Sequence, residues 1–294
     1  MTRTVLAAAV AACAVATLPA QQQSKFTSGI DLVRVDALVT DGHSTISGLT
    51  ASDFELRDNG VLQSIDSVLL ESLPLSVTFV LDTSGSVNGV KLSNLERAVG
   101  VVLDRLRDED MAALITFSHR IRLVRELTSD RVAIRDAVRT VAAAGTTALR
   151  DAVYTGLALS GREHTRSLVL AFSDGIDNAS WLSEAIVQRA AERSDAVVYG
   201  VAVAETPEMP GRRARYARGQ TDFLEAIATL TGGRLLRADT GDVASAFGEV
   251  LDEFRTRYVI TYSPARVPAA GWHSIELTVK GRRAVVTARR GYER

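Results

Sequence analysis

The chain has 294 residues, of which 46% are apolar and 23% charged, so it has material for one large core or for a core with a smaller companion. Its 34 Lys and Arg residues nearly balance 35 Asp and Glu, which excludes partner selection by bulk charge and leaves no charge argument for a nucleic-acid ligand.

In chain order, the first segment, "MTRTVLAAAVAACAVATLPAQQQ", sets Arg3 before an apolar stretch that ends at Leu18, Pro19 and Ala20. This is the pattern of a secretory signal over residues 1–20, and it predicts export to a periplasmic or secreted location. The stretch is too short to span a bilayer, and no later segment reaches the roughly 20 apolar residues a spanning helix needs. Cys13, the single cysteine, lies inside it, so cleavage after Ala20 leaves no thiol for disulfides. The alternative is a lipid anchor on Cys13, since Val10, Ala11 and Ala12 resemble a lipoprotein cleavage box.

Residues 25–73 read as β-structure. "IDLVRVDALVTD" alternates with period two, and Asn59-Gly60 stands between two strand-like runs as a hairpin signal. From Leu75 to Phe254 the pattern changes. The runs "LSVTFVL", "MAALITF", "SLVLAFS" and "AVVYGVAVA", most of them apolar on both faces, alternate with amphipathic helical segments. One of these, after "TFSHRIRLVRELT", starts at a Ser129 or Asp130 cap. The expected fold class is α/β: a doubly wound, mostly parallel sheet flanked by helices. A connection from Ala204 to Gln220 is rich in Pro, Gly and Arg and reads as a loop carrying Arg212, Arg213, Arg215 and Arg218. Residues 257–294 return to strand-like runs, "YVITYSP", "HSIELTVK" and "RRAVVTARRGY". Neither flank has enough strands for its own core, so the two are expected to pair into one β-sandwich-like module with the α/β domain inserted between them.

The chemistry concentrates at the strand ends, where an open parallel sheet binds its ligands. "FVLDTSGSVNG" ends a strand in Asp82, followed by Ser84 and Ser86; "SLVLAFSDG" ends in Ser173 and Asp174; "GTTALRDA" places Thr146 and Thr147 before a helix. Two carboxylates and several hydroxyls suit a hard divalent cation, chiefly Mg²⁺, with Mn²⁺ or Ca²⁺ as alternatives. No positive side chain is fixed among them in these motifs. Zinc is disfavoured because cysteine and clustered histidine are missing. A serine hydrolase is the enzyme rival, but Asp82 stands where a nucleophile elbow wants glycine. His119 is the one histidine near the rim and reads as an ordinary loop residue; His43, His164 and His273 read as turn or flank residues. Phosphate binding lacks a Walker lysine. Asn178-Ala179-Ser180 fits a glycosylation sequon and reads as a polar loop.

"DTSGS", "GTTALRDA" and "SDG", in this order, resemble the von Willebrand factor type A domain with its metal ion-dependent adhesion site. The resemblance implies Asp82, Ser84, Ser86, Thr147 and Asp174 as metal ligands, with Thr146 as the alternative threonine or as a helix cap. The flanks look like the exported von Willebrand A-related proteins of Acidobacteria. The same resemblance implies a non-enzymatic protein-binding module, whose ion accepts a carboxylate from a partner presenting an acidic residue. Separately, Arg212, Arg213, Arg215 and Arg218 follow a strand whose carboxyl end should lie on this face; the first expectation for such a loop is that it is simply solvated, and the alternative is that it frames the site with positive potential. Two other readings compete: an envelope assembly protein whose metal only fixes the loops, and a metal-assisted hydrolase, for which no general base is visible.

Overall fold

Strands that are apolar on both faces form the middle of the molecule, as their composition demands. The computed structural model describes residues 32–42, 44–70, 73–161, 165–174, 177–203 and 212–294, without the side chains of 212–221. The expected signal segment, with Cys13, lies outside the described residues, as do His43 and His164.

The central sheet has six strands: β5 (Leu75–Asp82), β6 (Met111–Phe117), β7 (Ile121–Thr128), β8 (Arg166–Ser173), β9 (Val197–Val203) and β10 (Leu235–Ala238). Their spatial order is β10-β9-β8-β5-β6-β7. All neighbours are parallel except the β6–β7 pair, so the sheet is mixed and mostly parallel. From β5 the chain moves first to β6 on one side and later to β8 on the other. The carboxyl ends of β5 and β8 therefore flank the topological switch point, where a crevice opens for ligands.

Among the described residues six helices cover the sheet: α1 (Val90–Arg105), α2 (Arg131–Arg139), α3 (Leu149–Leu159), α4 (Glu184–Arg193), α5 (Arg212–Thr231) and α6 (Val243–Arg255). Alternation along each strand divides the core into two layers. Val77, Phe79 and Leu81 pack with α1, α2 and α6 through residues such as Leu95, Ile134 and Phe247. Val80, Val169 and Ala171 face α3, α4 and α5 through Leu149, Val187 and Ile227. Each such fully buried side chain contributes roughly 1.5–3 kcal/mol over its exposed state. Asp130 caps α2, its carboxylate accepting from the Ala133 amide at 2.9 Å, in line with the sequence signal.

The flanks supply two antiparallel sheets. One joins β1 (Val33–Thr40), β4 (Ile65–Leu70), β11 (Tyr258–Tyr262) and β13 (Val285–Thr287) in the order β13-β1-β11-β4. The other joins β2 (Phe54–Asp58), β3 (Val61–Leu62), β12 (Trp272–Val279) and β14 (Gly291–Glu293) in the order β14-β12-β2-β3. Between β2 and β3, Asn59 and Gly60 both have positive φ, 47° and 76°, as a two-residue hairpin of the mirror-image type requires. The sheets share a core of Val35, Ala37, Ile260 and Tyr262 on one side and Phe54, Leu56, Ile275 and Tyr292 on the other. A polar pin crosses that core: buried Asp58 accepts from the hydroxyls of Tyr262 (2.8 Å) and Tyr292 (2.9 Å) and bonds His273 Nδ1 (2.8 Å).

The first of these sheets also meets the α/β layer. Asp36 on its far face accepts from Arg166 Nε at 2.8 Å. Arg166, fully buried, also donates to the Phe254 carbonyl and lies 4.5 Å above the Phe254 ring. Arg257 donates to the carbonyls of Gly232 and Thr287 and to the Tyr199 hydroxyl. The chain runs from β4 into β5 and returns from α6 into β11. Those two connecting strands are hydrogen-bonded neighbours, with Tyr258 opposite Leu70.

Four sequence expectations change. β7 and β10 are strands that periodicity did not mark, because both lie at sheet edges and are half exposed. "RRAVVTARRGY" is two strands in different sheets, and between them Arg289 is buried, bonding the Glu192 carbonyl and Asp195. The arginine-rich segment is not a loop throughout, since Arg212, Arg213, Arg215 and Arg218 belong to α5.

Candidate functional site

β5 is buried along its whole length and delivers Asp82 to its carboxyl end with no exposure to solvent. The next residues turn tightly. Ser84 donates its amide to Asp82 Oδ1 at 2.8 Å, and a short 3₁₀ turn, Gly85–Val87, leads to α1. β8 runs parallel to β5 and ends beside it, where Ser173 donates its hydroxyl to Asp82 Oδ2 at 2.7 Å. A chain of hydroxyls continues from there. Ser84 Oγ lies 3.0 Å from Ser86 Oγ, which donates to Asp174 Oδ1 at 2.8 Å. Asp82, Ser84, Ser86 and Asp174 thus meet at one rim.

The loop before α3 packs against this turn. Ala144 donates its amide to the Thr83 carbonyl at 2.8 Å, and Gly85 donates to the Gly145 carbonyl at 3.0 Å. Gly145 has φ +85°, a backbone conformation that favours glycine, and a Cβ there would also press on the His119 ring. Thr147 is buried, whereas Thr146 is exposed. Neither threonine caps α3. Its cap position is Ala148, and the free amides of its first turn are satisfied from elsewhere: Arg150 donates to Asp177 Oδ2 (3.0 Å) and Asp151 to Ser180 Oγ (3.3 Å). Asn178 completes the enclosure, accepting from the Thr147 amide at 2.9 Å and donating its own amide to the Thr147 carbonyl at 3.0 Å. The Asn178 side chain is therefore a loop brace, as the polar-loop reading of the sequon expects.

Lys91, in the first turn of α1, is a residue the motifs did not indicate. Its ammonium forms an ion pair with Asp174 Oδ2, so the rim does hold one fixed positive group. A lysine in the first turn of a helix gives no such signal until the direction in which the helix leaves its loop is known. The remaining arginines of interest, on α5, have no described side chains.

Electrostatics separate the two carboxylates. Burial pushes the Asp82 carboxyl up to about 6; its bonds from Ser173 and Ser84 pull the other way, and the charge of Asp174 adds to the rise. Asp174 has Lys91 as counter-charge. Among the described residues no three His, Cys, Asp or Glu side chains gather as a metal group. The donor set is instead two carboxylates with neutral hydroxyls, and such oxygens fit Mg²⁺, Mn²⁺ or Ca²⁺ and not zinc. A fully buried carboxylate held by neutral donors is the feature a cation would neutralise. For nucleophilic catalysis the geometry is unsuitable. The hydroxyls of Ser84 and Ser86 engage each other and Asp174, while His119 Nδ1 sits 3.4 Å from Ser118 Oγ. Among the described residues no helix is long and apolar enough to cross a membrane.

Comparison with known proteins agrees with this architecture. The von Willebrand factor type A domain model matches residues 77–176. The chain is 35% identical over 107 residues to the uncharacterized protein sll0103 of Synechocystis sp., covering 35% of this chain and 26% of that protein. It is 26% identical over 133 residues to inter-alpha-trypsin inhibitor heavy chain H2 of Sus scrofa, covering 41% of this chain and 14% of that one. The chain thus spans about a quarter or less of the length of these relatives. Among solved structures, a von Willebrand factor type A protein from Catenulispora acidiphila superposes with TM-score 0.54 at 15% identity, over 84% of this chain and 74% of that one. Proximal thread matrix protein 1 from the mussel byssus gives TM-score 0.52 at 16% identity, over 67% of this chain and 50% of that one. At such identities these two speak for the fold alone. Domains of this type are generally protein-interaction modules. The matched sequence over residues 77–176, the switch-point sheet and the shared fold agree in making this part of the chain similar to the von Willebrand factor type A domain.

Proposed function

We propose that the chain is an exported, metal-dependent protein-binding protein. Asp82, Ser84, Ser86, Thr147 and Asp174 hold a divalent cation, Mg²⁺ in the first instance. When bound, the ion supplies an electrophilic point that accepts a carboxylate from a protein partner. The observation that carries this reading is the fully buried Asp82, joined through Ser84 and Ser86 to Asp174 by neutral hydrogen-bond donors.

The chain's own residues perform three tasks. Asp82 and Asp174 bring negative charge to one rim, and the serine hydroxyls add donor oxygens without adding charge. The braces from Asn178 to Thr147 and from Gly85 to Gly145 fix the loops before any partner arrives, which reduces the ordering cost of recognition. Thr147 is preferred to Thr146 because it is the buried one of the pair. Residues 1–20 would direct export, with the Cys13 lipid anchor as the alternative, and residues 75–254 would form the binding domain carried by the β-structure of 25–73 and 257–294. Arg212, Arg213, Arg215 and Arg218 would raise positive potential toward an acidic partner, and reversing all four charges should slow association in a salt-sensitive way.

Titration calorimetry of the full chain with Mg²⁺ tests the core of the reading. Heat of binding should be seen with the wild type and lost in Asp82→Ala and in Thr147→Ala. Equal binding by all three proteins would overturn it. Affinity capture from an envelope extract, eluted with EDTA, separates this reading from that of an assembly protein. In the latter case captured proteins stay bound after chelation.

A further inference from the structure

The segment that braces Thr147 also presents a single large aromatic side chain to solvent. Trp181 is 94% exposed, whereas the other described aromatic rings are largely interior. Tryptophan so exposed is unusual, since its apolar area normally draws it inward. The backbone beneath it is held firmly. Trp181 and Leu182 donate their amides to the two oxygens of Asp151 at 3.0 and 2.9 Å. Ser180 donates its amide to Asp177 Oδ1 at 3.0 Å and its hydroxyl to Asp177 Oδ2 at 2.7 Å. Arg150 Nε bonds the same carboxylate at 3.0 Å. Leu182 packs against the core while its neighbour points away. The loop is thus built to hold an exposed indole in place.

Its position relative to the candidate metal site follows from the chain. Asn178, whose amide bonds the Thr147 carbonyl, is three residues before Trp181, so the two Cα atoms lie within about 10 Å of each other. Across the rim, Val90 is 71% exposed and directly precedes Lys91, whose ammonium reaches Asp174. An exposed indole therefore stands three residues beyond the residue that braces Thr147. Rigid, exposed aromatic side chains supply contact area at low entropic cost and are over-represented among the residues that dominate interface energetics.

We propose that Trp181 is the apolar anchor of the partner-binding surface, and that the partner is a protein segment carrying a carboxylate and a large apolar side chain three to four residues apart. In extended form that spacing covers about 10–14 Å, on the scale of the three-residue reach from Asn178 to Trp181. The inference rests on the metal-bridged reading above and adds to it the chemistry of the ligand.

The test is selection of a displayed random-peptide library on the full chain in Mg²⁺. Enriched peptides should pair Asp or Glu with a nearby aromatic or aliphatic residue. Their affinity should fall about 30-fold in Trp181→Ala, the loss typical of a dominant interface residue. Mg²⁺ affinity and thermal midpoint should not change in that variant. In a Trp272→Phe background Trp181 is the sole tryptophan, and its emission should shift to the blue on peptide addition. Peptides that require Mg²⁺ yet bind Trp181→Ala normally would overturn the anchor and leave the metal reading standing. Peptides indifferent to EDTA and to Asp82→Ala would overturn the metal reading itself. No enrichment, Trp181-dependent self-association in the ultracentrifuge, or Trp181-dependent binding to phosphatidylcholine vesicles would each overturn the proposed occupant.

Discussion

Replacing Asp82 by asparagine separates the demands of folding from those of metal binding. Buried and held by neutral donors, the Asp82 carboxyl is raised from 3.8 to about 6 by desolvation above all. The native state therefore holds a proton there over a pH range in which the unfolded chain has released it. Between pH 4 and pH 6 the unfolded state binds fewer protons, so the contribution of this group to stability falls as pH rises and is at its lowest above pH 6. The rise corresponds to ~3 kcal/mol. Asparagine keeps the shape, can accept the Ser84 amide and can turn its NH₂ toward the Ser173 hydroxyl, yet never ionises. In EDTA at pH 7.5 the variant should be more stable than wild type by up to ~3 kcal/mol, and the difference should shrink toward zero near pH 4. For a domain of this size that is a thermal shift of about 6–12 °C. In Mg²⁺ the order should close or reverse, because only the wild type gains from binding, by ~2.7 kcal/mol at one hundred times its dissociation constant. Thermal unfolding followed by circular dichroism at three pH values, with EDTA or Mg²⁺, reads all of this. A variant less stable than wild type at pH 7.5 in EDTA, or a difference independent of pH, would refute the reasoning.

Lys91→Met removes the ammonium paired with Asp174, and calorimetry should show Mg²⁺ affinity rising roughly 3- to 10-fold, since a cation that competes for the same carboxylate is gone. Asp177→Ala removes the acceptor for Arg150 and Ser180 and should cost about 1–2 kcal/mol in urea unfolding, as loss of a helix cap does. Burial pushes the Asp177 carboxyl upward, but bonds from Arg150 and Ser180 outweigh it and hold the group below its ordinary range. Its stabilising effect is thus full above the ordinary carboxylate range and should disappear as the pH falls through its lowered native value. Arg166→Met takes from buried Asp36 its nearer counter-charge, leaving Arg34 Nε at 3.7 Å, and should destabilise by up to ~3–5 kcal/mol, whereas Arg166→Met with Asp36→Leu should recover much of that loss.

The sequence made legible those parts of the fold in which one residue pattern has one structural solution. Strands apolar on both faces can only be central in a covered sheet, and β5, β6, β8 and β9 are just that. Asn59-Gly60 suits few backbones besides the tight hairpin it forms. Edge strands are different. β7 carries charged residues because one of its sides meets solvent, and its pattern imitates a loop. In the candidate site, Asp82, Ser84, Ser86 and Asp174 were visible as strand-end oxygens, and their hydrogen-bonded chain follows from adjacent parallel strands. Lys91 was not visible, because its reach to Asp174 depends on how α1 leaves the turn. The capping of α3 by Asp177 and Ser180 was hidden for a similar reason. The acceptors stand some thirty residues from the amides they satisfy, and only the meeting of two loops brings them together.

The strand leading into the α/β layer and the strand leaving it are paired neighbours. Consider a pull applied at residues 33 and 293, both of which lie in the flanking sheets. Tension then enters through the β14–β12 and β13–β1 ladders of those sheets, and residues 75–254 hang from two points that stay together while the β4–β11 ladder holds. The rim with Asp82 and Trp181 is therefore mechanically shielded: in a force experiment it should keep its geometry until the flanking sheets shear apart. On the proposed binding role, such a mounting would let the rim hold a ligand under load.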